Sequence, residues 1–144
     1  MSAPLNLPLY KASFGAAVSR YFRNYAVFSG RASRSEYWWV ALFNAIVFIV
    51  LIVGGVLLGG IGATPRASGG SEPGPLFAIA GVLMVLFVLG TIIPALSLGV
   101  RRLHDANLAG WFLLLGLIPS LGSILLLIFA VLPSSPAGSR FDRV

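Results

Sequence analysis

WWVALFNAIVFIVLIVGGVLLGGI, residues 38–61, is the stretch that decides the fold, because its 24 residues carry no charge. A helix rises about 1.5 Å per residue, so this run exceeds the hydrocarbon core of a bilayer, which is about 30 Å thick. Two further uncharged runs follow at residues 76–100 and 110–132, and the three together make up half of the 144 residues. Charged residues are only 10% of the chain, against about 25% in a typical soluble domain. The composition therefore excludes a soluble globular domain.

The three runs predict an all-α membrane protein with three transmembrane helices. Inside hydrocarbon every backbone amide needs a partner within its own segment, and the runs lack the alternating polarity of a β-barrel. Pro94 and Pro119 predict kinks in the second and third helices. We expect residues 37–133 to form the three-span membrane domain, with 62–75 as a flexible exposed loop and 134–144 as a C-terminal tail.

The N-terminal region predicts an amphipathic helix that lies in the membrane interface. Residues 1–9 contain two prolines and indicate a loose tail. A cleavable signal peptide is not expected, because no short apolar core follows them closely. We expect the segment 10–36 to comprise this helix and a basic motif. Over residues 10–28, aromatic and apolar residues recur every three or four positions and form a stripe along one face of a helix, and basic residues lie off that stripe. The stripe comprises Tyr10, Phe14, Val18, Tyr21, Tyr25 and Phe28. Alternatively, the stripe packs on the protein's own helices.

Basic residues outside the runs predict the orientation. Seven precede the first run or lie in 101–109, whereas Arg66, Arg140 and Arg143 lie in the opposite segments. Because Lys and Arg are retained in cytoplasmic segments, we expect the N-terminus and 101–109 in the cytoplasm and the C-terminus outside. Alternatively, the third run is a re-entrant hairpin that turns at residues 117–122, which returns the tail to the cytoplasm and makes the count nine to one.

Several chemistries are excluded by residue types. The chain has no cysteine, one histidine and four acidic residues, so thiolate catalysis, disulfides and cysteine or multi-histidine metal sites are absent, and we predict no catalytic residue, metal or cofactor. The formal net charge of +6 could indicate nucleic acid. The basic residues instead flank the apolar runs, as membrane retention requires, so no nucleic-acid partner is expected.

Two motifs carry the candidate site: the first cluster, GRASRSEYWW (residues 30–39), and the second cluster, RRLHDANLAGW (residues 101–111). Both flank spans on the same predicted side. We expect Glu36 and Asp105 each to meet an arginine of the other cluster, leaving at least one guanidinium free for an anionic lipid or an acidic partner. Alternatively, the aromatic and basic residues are ordinary membrane anchors. The predicted binding residues are Arg31, Arg34, Glu36, Tyr37, Trp38, Arg101, Arg102, His104, Asp105 and Trp111.

These motifs resemble a family of small bacterial inner-membrane proteins, the YhaH-like proteins of domain of unknown function 805. The family pattern F-x-G-R-x-x-R-x-E-Y-W begins here at Phe28, and R-R-L-H-D followed by G-W begins at Arg101, with Pro119 and Gly122 in the last run. The resemblance covers roughly residues 18–142 and departs from the family at Ala109, at Phe112 and in the tail. It implies a multi-pass protein of the bacterial inner membrane and supplies no activity.

Three classes of function fit the sequence. The favoured one is a non-catalytic membrane module that binds a partner protein or anionic lipid through the arginine clusters. A small transporter or pore subunit is the second, although the spans contain no ionisable residue to mark an ion path. The third is an enzyme acting on lipid headgroups with His104 as general acid or base. Gly55 and Gly59 also allow close helix contact, including self-association.

Overall fold

Two long apolar helices form the framework of the protein, whose computed structural model describes residues 3–142. In chain order the elements are α1 (Phe14–Arg23), α2 (Arg34–Gly59), β1 (Thr64–Pro65), β2 (Ser71–Glu72), α3 (Pro75–Asp105), a first 3-10 helix (Gly110–Leu117), α4 (Leu121–Val131) and a second 3-10 helix (Pro136–Phe141).

Helices α2 and α3 are long and apolar enough to cross a membrane. At about 1.5 Å per residue, their 26 and 31 residues span about 39 and 46 Å. Only 11% and 6% of their most apolar windows are buried, unlike the core helices of a soluble protein. Large apolar side chains that face outward along both helices match a hydrocarbon environment.

Both long helices include residues that the sequence assigned to their flanks. A capping box starts α2: the Ser33 hydroxyl accepts from the Glu36 backbone N–H at 3.2 Å, and the Glu36 carboxylate accepts from the Ser33 N–H at 2.9 Å. Helix α3 starts at Pro75, where a missing N–H is harmless, and continues through Pro94 to Asp105. The charged end of the second cluster is therefore the last turn of a helix and not a loop.

The third apolar run is not a single helix, so a third transmembrane helix is not confirmed for this segment. The chain forms a 3-10 helix over Gly110–Leu117, turns at Ile118–Ser120, and then forms α4, which has only 11 residues. Phe112 packs edge-on against Phe129 at 5.9 Å, so the two halves lie antiparallel. Pro119 breaks the helix where a kink was expected.

Glycines allow the two halves of this hairpin, residues 110–131, to approach closely. A Cβ on Gly116 would lie 2.6 Å from the Leu126 side chain. A Cβ on Gly122 would lie 2.9 Å from the Gly116 Cα and still closer to the Leu115 carbonyl oxygen. A side chain at Gly122 would meet backbone atoms and separate the halves, whereas the Leu126 side chain can move away from a Cβ at Gly116, so the hairpin depends chiefly on Gly122.

The predicted helix over residues 10–28 is shorter, because α1 covers only Phe14–Arg23. Lys11 has a positive φ of 56°, which is incompatible with a helix, and the Ser13 hydroxyl caps the first turn through the Ala16 N–H. Tyr21 of the predicted stripe is buried in the core. Phe14 and Phe22 remain exposed, so part of the aromatic surface faces outward.

The N-terminal segment is not loose in its described part, residues 3–9. Its carbonyl groups accept hydrogen bonds from Arg20, and the Leu9 N–H donates to Glu36 at 2.9 Å. In the predicted loop 62–75, β1 and β2 form a small exposed antiparallel hairpin, with an ion pair between Arg66 and Glu72 at 3.1 Å.

The chain divides into two compact units, and both long helices run through both. The first unit comprises the chain up to Leu42 and from Ile92 onward, and the second is Phe43–Thr91. In the second unit α2 packs against α3: Phe48 meets Phe87 edge-on at 5.3 Å, and a Cβ on Gly59 would lie 2.9 Å from Phe77. The G-x-x-x-G motif of Gly55 and Gly59 thus allows α2 and α3 of the same chain to pack closely.

The first unit has an unusually polar interior. Its apolar cluster is small, comprising Ala12, Ala17, Tyr21, Ala32, Val40 and Leu98. Four charged side chains are as deeply buried as these: Arg101, Arg102, Glu36 and Asp105. Buried charges require paired and hydrogen-bonded partners, so the contacts of these groups determine what the unit can do.

Candidate functional site

Asp105, at the end of α3, is the centre of the polar interior. One carboxylate oxygen accepts from the Arg102 guanidinium at 2.7 Å and from the Ser134 hydroxyl at 2.5 Å. The other accepts from the Tyr10 hydroxyl at 3.2 Å, and the Arg31 guanidinium lies 3.9 Å away. Burial and the charge of Asp105 raise the pKa of Tyr10, so its hydroxyl stays protonated and donates.

Arg102 links α3 to the end of the hairpin. Besides Asp105, its guanidinium donates to the carbonyl oxygens of Ala130 and Leu132. The last carbonyls of a helix lack partners within it, and a cation there also interacts favourably with the helix dipole. At the other end of the hairpin, Gly110 packs against Val100 and His104. Both ends of the hairpin therefore contact the last turns of α3.

The C-terminal segment lies on the two clusters, an arrangement expected if the third run is a re-entrant hairpin. Asp142 accepts two hydrogen bonds from Arg31, at 2.6 and 2.7 Å, and this raises the pKa of the guanidinium. Phe141 stacks on the His104 ring at 4.1 Å, and Gly138 packs against the His104 carbonyl. Arg143, which entered the same charge count, lies outside the described residues.

Glu36 pairs with Arg20, one of the basic residues that lie off the aromatic stripe. The Arg20 Nε donates to Glu36 at 2.5 Å, and its remaining nitrogens donate to carbonyl oxygens of residues 3–7. With the Ser33 and Leu9 N–H groups on its other oxygen, Glu36 is fully used inside the unit.

The predicted exchange of partners between clusters is correct only for Arg31, the more distant partner of Asp105. The nearest arginine, Arg102, belongs to the same cluster as Asp105, and Glu36 forms its ion pair with Arg20, which lies outside both clusters. Arg101 is 1% exposed, and its Nε and Nη2 have no hydrogen-bond partner among residues 3–142. It is buried and not available on the surface as a ligand-binding residue.

Arg34 is the predicted arginine that is exposed, and it lines two cavities. One, of about 510 Å³, is lined by Arg34, Ser35, Trp38, Trp39, Leu42 and Val131. The second, of about 360 Å³, is lined by Tyr10, Lys11, Ser33, Arg34, Ser35 and Ser134. Within the described chain, neither Lys11 nor Arg34 forms an ion pair or a side-chain hydrogen bond.

The other predicted residues have separate surroundings. Tyr37 packs edge-on against Trp38 at 5.7 Å and lines a small cavity with Arg102. Trp111 is 62% exposed and stacks on Phe112, outside the polar interior. The His104 Nδ1 lies 3.0 Å from the Gly30 carbonyl oxygen, and its ring is 8% exposed under Phe141. In residues 3–142 no three metal-ligating side chains lie together.

Sequence reasoning missed Lys11, Arg20, Ser134 and Asp142 as parts of this arrangement. The S-x-x-E pattern of Ser33 and Glu36 is a recognisable capping box and could have assigned Glu36 to the start of α2. Arg20 has no comparable signal, because its partner lies 16 residues away and is chosen by tertiary packing.

Comparisons with known proteins agree with this architecture. The family described as a protein of unknown function, DUF805, matches residues 25–143. The chain is 34% identical to inner membrane protein YhaI of Escherichia coli K12 over 121 residues, covering 84% of this chain and 87% of the relative. It is 33% identical to inner membrane protein YhaH of the same strain over 119 residues, covering 83% and 87%. No solved structure matches the chain significantly. A family match over most of the chain, two similar inner-membrane relatives and two apolar helices of spanning length together make this protein a member of the DUF805 family.

Proposed function

We propose that this protein is a non-catalytic inner-membrane module that binds anionic phospholipid at the membrane surface through exposed basic side chains of its first unit. The observation that carries the proposal is that the acidic residues of this unit are all paired, whereas several of its basic residues are not. Glu36, Asp105 and Asp142, the acids among the described residues of this unit, are all engaged by arginines. Eight basic residues accompany these three acids in the described part of the unit. Among the described residues, the basic side chains therefore outnumber the acids with which they can form ion pairs.

The exposed basic residues of the unit are accompanied by exposed aromatic side chains. Lys11, Arg23, Arg34 and Arg140 are exposed, and none of them pairs with an acid within the described chain. Aromatic residues favour the headgroup level of a bilayer, and each Lys or Arg near an anionic surface contributes about 1 kcal/mol. The exposed aromatic side chains of this unit are Tyr10, Phe14, Phe22, Tyr25, Phe28, Trp38, Trp39 and Trp111.

The topology that we propose for this function has the N-terminus, the second cluster and the C-terminal segment in the cytoplasm. Two features support it: nine of the ten basic residues fall on that side, and both ends of the hairpin contact the end of α3. The hairpin then enters and leaves the membrane from one face. Its irregular backbone packs against α3 through Gly99 and Leu113.

The alternatives receive less support. The His104 ring is covered by Phe141 and hydrogen-bonded to backbone, which leaves little access for a general acid or base. No ionisable residue lies within 38–61 or 76–100 to mark an ion path. Contact with a protein through the same basic surface is an outcome that the following experiment distinguishes.

The test is lipid-dependent stabilisation of the full chain purified in a neutral detergent. Phosphatidylglycerol should raise the unfolding temperature more than phosphatidylcholine does, and added salt should reduce the difference by screening. A variant with Lys11→Asn, Arg23→Gln, Arg34→Gln and Arg140→Gln should lose that difference. Arg66→Gln, which removes an exposed arginine of the second unit, is the matched control.

Equal stabilisation by the two lipids would contradict the proposed function. So would a stoichiometric copurifying protein that the four substitutions release while the preference for phosphatidylglycerol remains unchanged.

A further inference from the structure

We infer that the two cavities that share Arg34 form one site for a single anionic phospholipid, whose phosphate contacts Lys11 and Arg34 and whose acyl chain lies along Trp38, Trp39 and Leu42. This inference rests on the proposed function and deepens it, because it replaces a diffuse attraction to the membrane surface with a defined site for one lipid molecule.

Shared lining residues show that the two cavities are neighbours. Arg34 and Ser35 line both, so the polar cavity around Lys11 and the aromatic cavity beside α2 meet at the first turn of that helix. Ser33, Ser134 and Tyr10 also line the polar cavity, and their hydroxyl groups donate to the Leu9 carbonyl oxygen and to Asp105. Polar groups at one end and apolar groups at the other match the amphipathic form of a phospholipid.

The charge of the polar cavity favours an anion. Lys11 and Arg34 contribute two positive charges, and no acidic residue lines either cavity. The Asp105 carboxylate, which contacts the lining residues Tyr10 and Ser134, is also hydrogen-bonded to Arg102. Because Asp105 is already paired, the two basic side chains remain available for a phosphate, which guanidinium and ammonium groups bind well.

Lys11 is also held in an uncommon backbone conformation. Its φ of 56° lies in the left-handed region, which lysine seldom adopts. The flanking segment is fixed on both sides, by the Ala12 N–H donating to Ser35 at 2.9 Å and by the Tyr10 hydroxyl on Asp105. The fold thus holds the backbone of Lys11 at the cavity that Arg34 lines.

The aromatic cavity continues the site towards the hydrocarbon region. Arg34, Trp38 and Leu42 follow one another at steps of four on α2, which places them on one face over about 12 Å. The indole of Trp39 is fixed, since its N–H donates to the Ala12 carbonyl at 2.8 Å. The Trp38 indole N–H has no hydrogen-bond partner within residues 3–142 and can reach a lipid ester or phosphate. Val131 of α4 completes the cavity.

The tryptophans provide a direct test, because two of the three line the site. The full chain carrying Trp111→Phe is reconstituted in vesicles in which either phosphatidylglycerol or phosphatidylcholine has brominated acyl chains, which quench nearby indoles. At equal mole fractions, brominated phosphatidylglycerol should quench Trp38 and Trp39 several-fold more effectively. Arg34→Gln or Lys11→Asn should each reduce that preference about fivefold, the factor that corresponds to about 1 kcal/mol per basic residue.

Two matched controls separate a defined site from a charged surface. Arg23 is exposed and basic but lines neither cavity, so Arg23→Gln should lower the preference clearly less than Arg34→Gln does. Leu42→Phe should fill the aromatic cavity and lower quenching by brominated phosphatidylglycerol, whereas Ile46→Phe, one turn further along α2, should not. Lys11→Asn keeps a residue type that tolerates positive φ, so loss of binding in that variant reports on charge.

The outcomes distinguish this inference from the proposed function. If Arg23→Gln and Arg34→Gln lower the preference equally and Leu42→Phe has no effect, the single site is wrong while anionic-lipid binding stands. If no variant, including the parent, prefers phosphatidylglycerol, both proposals are wrong. If a copurifying protein protects both tryptophans from either brominated lipid, the cavities are a protein contact and the lipid site is overturned.

Discussion

Arg101 and Arg102 are adjacent in α3 and are 1% and 2% exposed, yet their guanidinium groups have different surroundings. Arg102 donates to Asp105 and to two carbonyl groups at the end of the hairpin. Arg101 has two nitrogens without a hydrogen-bond partner in the described chain. A buried donor without a partner costs about 1–3 kcal/mol, whereas breaking a buried ion pair costs about 3–5 kcal/mol. The two arginines should therefore respond differently to the same substitution.

We expect Arg102→Met to lower the free energy of unfolding by about 3–5 kcal/mol, because it removes the nearest positively charged partner of the Asp105 carboxylate and the cap of α4. Arg101→Met should leave stability unchanged or raise it by about 1 kcal/mol, because methionine fills similar space without buried donors. Thermal unfolding of both variants in one detergent compares them directly. Equal destabilisation would mean that the Arg101 guanidinium has a partner of comparable strength.

At the scale of elements, hydrophobic length predicted α2 and α3 correctly but not the third run. An uncharged 23-residue run has the same composition whether it crosses or turns back, and the contacts that decide are long-range, from Arg102 to Ala130 and Leu132. Periodicity predicted α1 but extended it past Ser13 and Asn24, where capping ends it. For the site, the sequence motifs identified the two clusters of charged residues. They did not predict that Glu36 pairs with Arg20, because that pairing depends on the N-terminal segment, whose carbonyl groups hold the Arg20 guanidinium.

The turn of the hairpin gives a prediction at this scale. Gly122→Ala should destabilise the protein by about 1–3 kcal/mol, because the added Cβ meets backbone atoms of Leu115 and Gly116 that cannot move independently. Gly54→Ala in α2 is the control, since a Cβ there has open space and alanine is the better helix former. Their unfolding temperatures should move in opposite directions. A neutral Gly122→Ala would show that the halves of the hairpin are not closely packed.

At the scale of the whole molecule, the ends of the chain and its middle carry different surfaces. The first unit contains both terminal segments, a buried ion-pair network and an excess of basic residues. The second contains the apolar halves of α2 and α3 and a small exposed hairpin. If α2 and α3 each cross the bilayer, the loop between them faces the other side from the first cluster. The side of the C-terminal segment then depends on whether residues 110–131 cross or return.

Because the chain contains no cysteine, single cysteines can report this topology without background. Ser68→Cys lies in the loop between α2 and α3, and Ser139→Cys lies in the C-terminal segment, both at exposed positions. In intact spheroplasts a membrane-impermeant maleimide should label only Ser68→Cys, and Ser139→Cys should react only after the membrane is opened. Ser19→Cys, exposed on α1, should behave like Ser139→Cys, because its helix belongs to the same unit. If three helices cross the membrane, Ser139→Cys should instead be labelled from outside, as Ser68→Cys is. That result would also contradict the contacts that join Asp142 to Arg31 and Ser134 to Asp105.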